Sequence, residues 1–471
     1  MIEHRQIFVN GKWIDSTATD VIPVVNPATE ETIAAVARGT TEDVDLAARA
    51  AAAAFDEWSR TPVEERAAVL RRMARLLQAR SDELTDTMVG EVGTPITIAR
   101  GSQTASAIAD LNNFADAMAD VRWAERIDET VVHREAAGVV GALCAWNGPL
   151  RSVILKAGAS LAAGCTVVLK PSEVAPLTGY VFADIATEAG LPDGVVNLVS
   201  GTGPDVGEAI VVHPAVDMAS LTGSVRAGSR VMELASRSVK RVALELGGKS
   251  ANLICEDADL QAAIASGIED AFRNAGQVCG GLTRLLVPRS RLAEAEDAAV
   301  AAAERFVIGD PLDPATTLGP VVSDVQRERV RGHIQRAIDD GVRLLTGGPE
   351  APEGLDRGYY VKPTVFSGPN SARIAQEEVF GPVVIIIPFA DEADAISIAN
   401  DSQYGLAGGI WAADRERARG IARKIRTGRV RINGTAINMK APHGGFKLSG
   451  IGREMGRAGI EDYLEYKAVH G

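Results

Sequence analysis

The sequence predicts an α/β protein with two sheet-forming units and a small separate β element. From about Gly138, short apolar runs alternate with amphipathic stretches, the rhythm of β-α-β units feeding a parallel sheet. A second series of strand and helix signals runs from near Ser250 to about Gly444. The polar, alternating stretch Arg122 to Arg134 and the tail from Asp462 read as edge strands lacking a partner, and exposed edges invite pairing with another subunit. A chain of 471 residues accommodates about three structural units, and 46% hydrophobic residues supply a large core.

After a short strand-like lead, Thr40 with Asp43 opens a helix through an alanine-rich stretch ending near Trp58. Thr61, Pro62 and Glu64 give a second start, with an N-cap, a proline at the first helical position and a capping-box glutamate, ahead of helical apolar spacing through Leu77. In the first unit come GVVGALCAW, a helix-like segment to Ala163, TVVLK, a helix near Val181 and VVNLVSG. Ligands of such sheets sit beyond the carboxyl ends of the strands, which singles out Trp146, Asn147, Lys170, Pro171, Ser172, Glu173 and Gly201. RLLVP, VVIIIPF and GLAGGIW mark strands of the second unit.

Charge and composition exclude several functions. A formal net charge of −13 repels phosphate backbones and anionic lipid, so no nucleic-acid or membrane partner is expected. No apolar run approaches the roughly 18 residues of a membrane helix, and the start lacks a secretory pattern, which implies a cytoplasmic protein. The four cysteines form no C-x-x-C pair and the six histidines no H-E-x-x-H, so neither a disulfide framework nor a metal site is expected.

Several residues are chemical candidates, each with a plainer alternative. Gly201, Gly203 and Gly207 follow a strand and approach the dinucleotide fingerprint, but the last spacing is one residue too long, as in an ordinary turn. Gly223, Ser224 and Gly228 either open a helix whose amides face a pyrophosphate or form a capped helix start. In LKPSE, Lys170 and Glu173 suit the hydroxyls of a dinucleotide ribose, with the glutamate repelling a 2′-phosphate and so favouring NAD over NADP; a solvated ion pair is the alternative. Cys279, flanked by small residues in GQVCGG, is a nucleophile or a buried filler. Glu245 in ELGGK is a base with a raised pKa or a surface strand end. Asn147 donates to an oxyanion or caps a turn.

Taken in order, NPATEE at Asn26, AWNGPL at Ala145, LKPSE at Leu169, LTGSVRAG at Leu221, ELGGK at Glu245, GQVC at Gly276, EEVFGPV at Glu377 and GGFKLSGIGRE at Gly444 resemble the aldehyde dehydrogenase superfamily over almost the whole chain. The resemblance implies a Rossmann-like NAD-binding domain from residues 1–118 and 137–247, a catalytic domain from 248–444, and an oligomerisation element from 119–136 and 445–471. It implies Cys279 as nucleophile, Glu245 as base, and Asn147 with the Cys279 amide as oxyanion hole. Lys170, Ser172 and Glu173 would hold the adenosine ribose side, and Gly203 would lie near the adenine. Trp146 and Gly223 to Gly228, with Ser224, would line the pyrophosphate and adenine side; Glu378 and Phe380 would position the nicotinamide ribose. Lys156 and Glu454 match positions of support and proton movement, and Glu465 would pair with Arg241 and Arg453 across subunits of a homodimer or homotetramer. The sequence departs from the pattern at CGGLTR and at Ala145, which removes no reacting group.

The reaction so implied is NAD-dependent oxidation of a small-molecule aldehyde to a carboxylate through a cysteine thiohemiacetal and thioester. The alternatives are transfer of the acyl group to coenzyme A, a catalytically inactive structural or binding relative, and a plain cysteine hydrolase.

Overall fold

The computed structural model describes residues 2–471. Its first large sheet has five parallel strands in the spatial order Arg241–Glu245, Met218–Thr222, Val139–Leu143, Thr166–Lys170, Val196–Leu198. The chain therefore starts at the centre, builds outward on one side, then crosses back to build the other, leaving a topological switch point between Val139–Leu143 and Met218–Thr222. The hairpin Gln6–Val9 and Lys12–Asp15 closes one edge, and Gly450–Ile451 adds antiparallel to Arg241–Glu245 at the other.

Helices cover both faces, so the strands read as continuous apolar runs rather than alternating ones. Along Val139–Leu143 the two-residue period sends Val140 and Ala142 into one core, with Leu70, Phe114 and Phe182, and Val139 and Leu143 into the other, with Ile210 and Val231. The helix Thr41–Arg60 starts on a complete capping box between Thr40 and Asp43. The next helix, Val63–Ala79, departs from the expectation: Pro62 holds the N-cap position without a side-chain bond, and the Thr61 hydroxyl donates back to the Glu57 carbonyl as part of the preceding helix's end. Only Thr61 and Pro62 separate the helices, so Thr61 caps the end of the first and Pro62 takes the N-cap position of the second.

The second large sheet also grows from a central parallel strand, Ala251–Ile254, but Val383–Phe389 inserts between the earlier strands Arg284–Pro288 and Thr364–Ser367, so its strand order differs. Thr364–Ser367, Val383–Phe389, Arg284–Pro288, Ala251–Ile254, Ala407–Trp411 and Arg429–Ile432 run parallel in that order, with Arg343–Thr346 antiparallel at one edge.

Three corrections concern the small β element. Its segments do not lack partners: Ala124–Ile127, Thr130–Ala136 and Leu464–His470 form one antiparallel sheet with the first two joined as a hairpin. Residues 445–471 do not act together, because Phe446–Lys447 pairs with Tyr404–Gly405 and Gly450–Ile451 joins the first large sheet, leaving only Leu464–His470 in the small one. Finally, Arg241 reaches Glu465 at 3.0 Å within the same chain, and Arg453 donates to the Gly445 and Gly452 carbonyls. The short turn from the helix Gly456–Glu461 into the last strand carries Glu465 back over Arg241, so no second subunit is needed for that pair.

Candidate active site

The carboxyl ends of the first sheet face the amino ends of the second. Trp146 and Asn147 follow Val139–Leu143, Gly223 and Ser224 follow Met218–Thr222, and Glu245 ends Arg241–Glu245. From the other sheet, Cys279 precedes Arg284–Pro288, Glu378 and Phe380 precede Val383–Phe389, and Tyr404 precedes Ala407–Trp411. A rule that looks only at strand exits finds the first set and misses the second. All nine residues line one cavity of about 330 Å³, at the first sheet's switch point.

The loop bearing Cys279 is forced into shape. After the helix Leu260–Phe272, Asn274, Ala275 and Gly276 take φ of 52°, 54° and 71°, a left-handed run that costs non-glycine residues about 1–3 kcal/mol each. At Gly276 a side chain is also sterically barred, since an added Cβ would lie 2.0 Å from the Gly381 carbonyl oxygen. Buried Gln277 pins the loop, accepting from the Val322 amide at 2.9 Å and donating to the Asn274 carbonyl at 3.1 Å. Asn274 donates to the Asn147 carbonyl at 2.9 Å, and Asn147 Nδ2 donates to the Gln277 carbonyl at 2.9 Å. Asn147 is thus held by the nucleophile loop itself, and its amide keeps a second N–H for another acceptor.

Cys279 is partly accessible on the cavity wall, yet the protein around it pushes the thiol up to about 11 despite the opposing charge of Arg429. The free protein therefore holds a thiol rather than a thiolate. Glu245 is buried with neither carboxyl oxygen hydrogen-bonded among the described residues. Burial, and next the charge of Glu454, raise it well above the ordinary range. His443 Nε2 stands 3.5 Å from Glu245, but burial and then Arg429, Arg151 and Arg453 hold that imidazole neutral. A buried carboxyl left without donors is costly unless something passes through the site to use it.

Behind Glu245, Lys156 Nζ lies 3.0 Å from Glu454 and 3.2 Å from the Ser220 hydroxyl, which in turn bonds Tyr463 at 2.9 Å. These two sequence candidates form one buried ion pair, and Lys156 reaches it from a widened π turn, Ile154–Gly158.

On the opposite wall Glu378 accepts from the Gly248 amide at 3.1 Å, and burial raises it to about 7. Phe380 adopts φ of 56° and meets the Trp146 ring edge-on, with centroids 5.3 Å apart. Ser224 caps the helix Val225–Ser236 through the Ala227 amide, so the free amides at its start point to the cavity mouth, a ready anion site.

The remaining candidates lie elsewhere. Lys170 Nζ bonds the Pro171 carbonyl at 2.8 Å and Glu173 at 3.2 Å, at the exit of the strand beside Val139–Leu143, with Ser172 buried between them. Gly203 opens the next turn, behind the Thr202 cap, and Gly207 of that turn packs on the Lys170 stem. Gly228 corrects the expectation of a cavity-lining residue. It is buried inside its helix, where an added Cβ would lie 2.6 Å from Leu246, so it serves close helix packing. Sequence reasoning missed Gln326 and Arg329, which line the cavity from the helix Asp324–Asp339; Gln326 Nε2 donates to the Phe380 carbonyl at 2.8 Å. No local signal marks them, since that helix reads as a solvated one. Asn274 and Gln277 stand beside or within GQVC, and only their buried bonds reveal their use.

Residues 13–469 match the model of the Aldehyde dehydrogenase family. The chain is 44% identical over 473 residues to a 3-succinoylsemialdehyde-pyridine dehydrogenase of Pseudomonas sp, covering 100% of this chain and 99% of that one. Among solved structures it resembles a mutant of aldehyde dehydrogenase C from Pseudomonas syringae complexed with NAD+ and octanal, at TM-score 0.98 and 44% identity over 99% of this chain and 96% of that one. It also resembles the Mycobacterium tuberculosis aldehyde dehydrogenase complexed with NAD+, at TM-score 0.97 and 43% identity over 100% and 98%.

Proposed function

The chain belongs to the aldehyde dehydrogenase family, and from that premise we propose that its NAD-dependent oxidation of an aldehyde to the carboxylate runs through Cys279, Glu245 and Asn147. The observation that carries this reading is the placement of the Cys279 thiol and the unpartnered Glu245 carboxyl on one cavity wall, with the loop-tied Asn147 beside them.

The residues around the cavity suit NAD. The helix start after Ser224 offers amides to the pyrophosphate, Glu378 on its Gly248 amide offers a carboxylate to the nicotinamide ribose, and Lys170 with Glu173 suits the adenosine ribose. A carboxylate at Glu173 disfavours a 2′-phosphate, which supports NAD over NADP. When bound, NAD accepts the hydride of the aldehyde carbon.

Cys279 releases its proton to water as its sulfur bonds the carbonyl carbon, and the carbonyl oxygen takes the negative charge. The second N–H of Asn147 and the Cys279 backbone amide stabilise that oxygen, and losing one such donor typically costs about 3–4 kcal/mol. The tetrahedral carbon yields a thioester on Cys279. Glu245 then takes a proton from water, the water oxygen attacks the thioester carbon, and the C–S bond breaks to release the acid and regenerate the thiol. The lack of any hydrogen-bond donor to Glu245 supports water as the acceptor, because both carboxyl oxygens are free to receive a water molecule. Lys156 and Glu454 position it by charge from behind.

The small sheet is the surface for homo-oligomerisation, supported by the outer edge of Leu464–His470 and by exposed Val469 and Ile127. Four unpaired cysteines support a reducing, cytoplasmic setting, and no helix among the described residues is long and apolar enough to cross a membrane.

NADH formation in two variants tests the assignment. Cys279→Ala is expected to make no NADH from an aldehyde. Glu245→Gln is expected to release a burst of one NADH per site and then stall, because the acyl enzyme cannot hydrolyse. Steady turnover at the wild-type rate in Glu245→Gln would overturn the role of that residue.

A further inference from the structure

A second cavity, of about 450 Å³, abuts the reacting pair from another direction, and none of its lining residues lines the cofactor cavity. Two of them connect it to the chemistry. His443 reaches Glu245 at 3.5 Å, and the Arg429 guanidinium lies against Gly280, the residue after the nucleophile, where an added Cβ would meet Nη2 at 2.5 Å.

The charge of its lining is one-sided. Arg415, Arg419, Arg429 and Arg431 line it, no carboxylate does, and this occurs in a chain whose net charge is −13. Arg431 is neutralised by Asp270 at 2.6 Å, and Arg419 pairs with Glu416. The other two keep donors to spare. Arg429 Nε is buried without a hydrogen-bond partner, and Arg415, exposed at the mouth, has no carboxylate within ion-pair distance among the described residues.

Helix stability does not explain Arg415 at the mouth. Arg415 is the first residue of the helix Arg415–Ala422, with Arg417 two positions on, where cations oppose the helix dipole, whereas Arg419 lies in the last turn. Arg417 is balanced by Asp257 at 3.2 Å and Glu392 at 2.9 Å, and Arg415 by neither. Between mouth and floor the wall is hydrocarbon: Val430, Ile432, Ile437, Pro442 and Met455.

We propose that this cavity is the aldehyde's entrance and that it selects aldehydes carrying a carboxylate at the far end of a hydrocarbon or aromatic body. The inference rests on the reading that Cys279 oxidises an aldehyde, and adds the class of aldehyde. The body lies along the apolar wall, the carboxylate meets the planar fork of Arg415 at the mouth, and the aldehyde end passes Arg429 to reach Cys279. A phosphate would use the same fork, but a phosphorylated sugar aldehyde offers hydroxyls to that wall, which the carboxylated hydrocarbon does not.

Rates of NADH formation with matched pairs test it: 4-carboxybenzaldehyde against benzaldehyde, and succinic semialdehyde against butanal, with glyceraldehyde 3-phosphate as a further arm. The charged member of each pair is expected to have a kcat/KM at least about tenfold higher, with the ratio falling as salt is added. Arg415→Gln is expected to cut that ratio by about fivefold or more, and Arg415→Lys to keep part of it. Equal rates for charged and neutral members, a ratio unmoved in the glutamine variant, or a preference for the phosphorylated aldehyde would each overturn the proposal. NADH from none of these aldehydes would instead overturn the reading of Cys279 beneath it.

Discussion

Gly247 shows how narrowly single residues set this site. A Cβ added there would lie 1.9 Å from Glu378 Oε2, so the Glu378 carboxylate reaches the cavity only because residue 247 has no side chain. Gly247→Ala is expected to swing Glu378 off the Gly248 amide and raise the KM for NAD by roughly tenfold, about the value of one charge-assisted hydrogen bond. Alkylation of Cys279 by iodoacetamide should continue at the wild-type rate, and an unchanged KM for NAD would show that the carboxylate does not hold the cofactor. At this scale the sequence was informative about residue type: a cysteine among small residues, a glutamate ending a strand and an asparagine at a strand exit are all in the cavity. It was silent about Gln326 and Arg329, whose helix faces solvent on most of its surface.

Elements here are stitched together by buried polar groups that no local pattern reveals. The helix Leu177–Glu188 has no cap of its own, because Pro176 at its N-cap offers no side-chain acceptor. Glu91, from the helix Ser81–Val92, supplies one instead, accepting from the Leu177 amide at 2.8 Å. Burial raises that carboxyl from 4.5 to about 8, against the pull of the Leu177 and Thr178 amides. Between those two values the folded chain holds a proton that the unfolded chain has released, so stability is lost as pH rises from 4.5 towards 8. Thermal melts of wild type and Glu91→Gln across this range are expected to diverge, the wild type losing Tm relative to the variant as pH rises; parallel curves would show that Glu91 does not carry the linkage. Glu91→Ala, which leaves buried amides without an acceptor, is expected to cost about 1–3 kcal/mol at any pH. Capping within four residues, as at Thr40 and Asp43, was legible in the sequence, whereas a cap supplied from 86 residues away was not.

At the scale of the whole molecule, two largely parallel sheets meet end to end, and the site exists only where they meet. The small third sheet stands apart from that meeting, with six of the seven residues of Leu464–His470 exposed and one edge of the strand unpaired. Val469, 48% exposed, and Ile127, 56% exposed, are apolar side chains on this sheet that a second copy of the chain would cover. Light scattering is expected to give a multiple of the 49.5 kDa chain mass for the wild type, and Val469→Lys with Ile127→Lys is expected to shift it towards the single chain. A wild type of 49.5 kDa at micromolar concentration would remove this sheet from the interface reading.

The sequence by itself determined what depends on neighbours a few positions apart: the apolar rhythm of two parallel sheets, the capping box at Thr40, the capped start at Ser224 and the residue types able to do the chemistry. Only the tertiary structure decided which of them meet. It set Cys279 at the entrance of a strand rather than the exit, turned Gly228 into a packing contact, and closed Arg241 on Glu465 inside one chain. Asn147 and Gln277 are 130 positions apart, and their bond depends on how one sheet docks on the other, which no window of a few residues encodes.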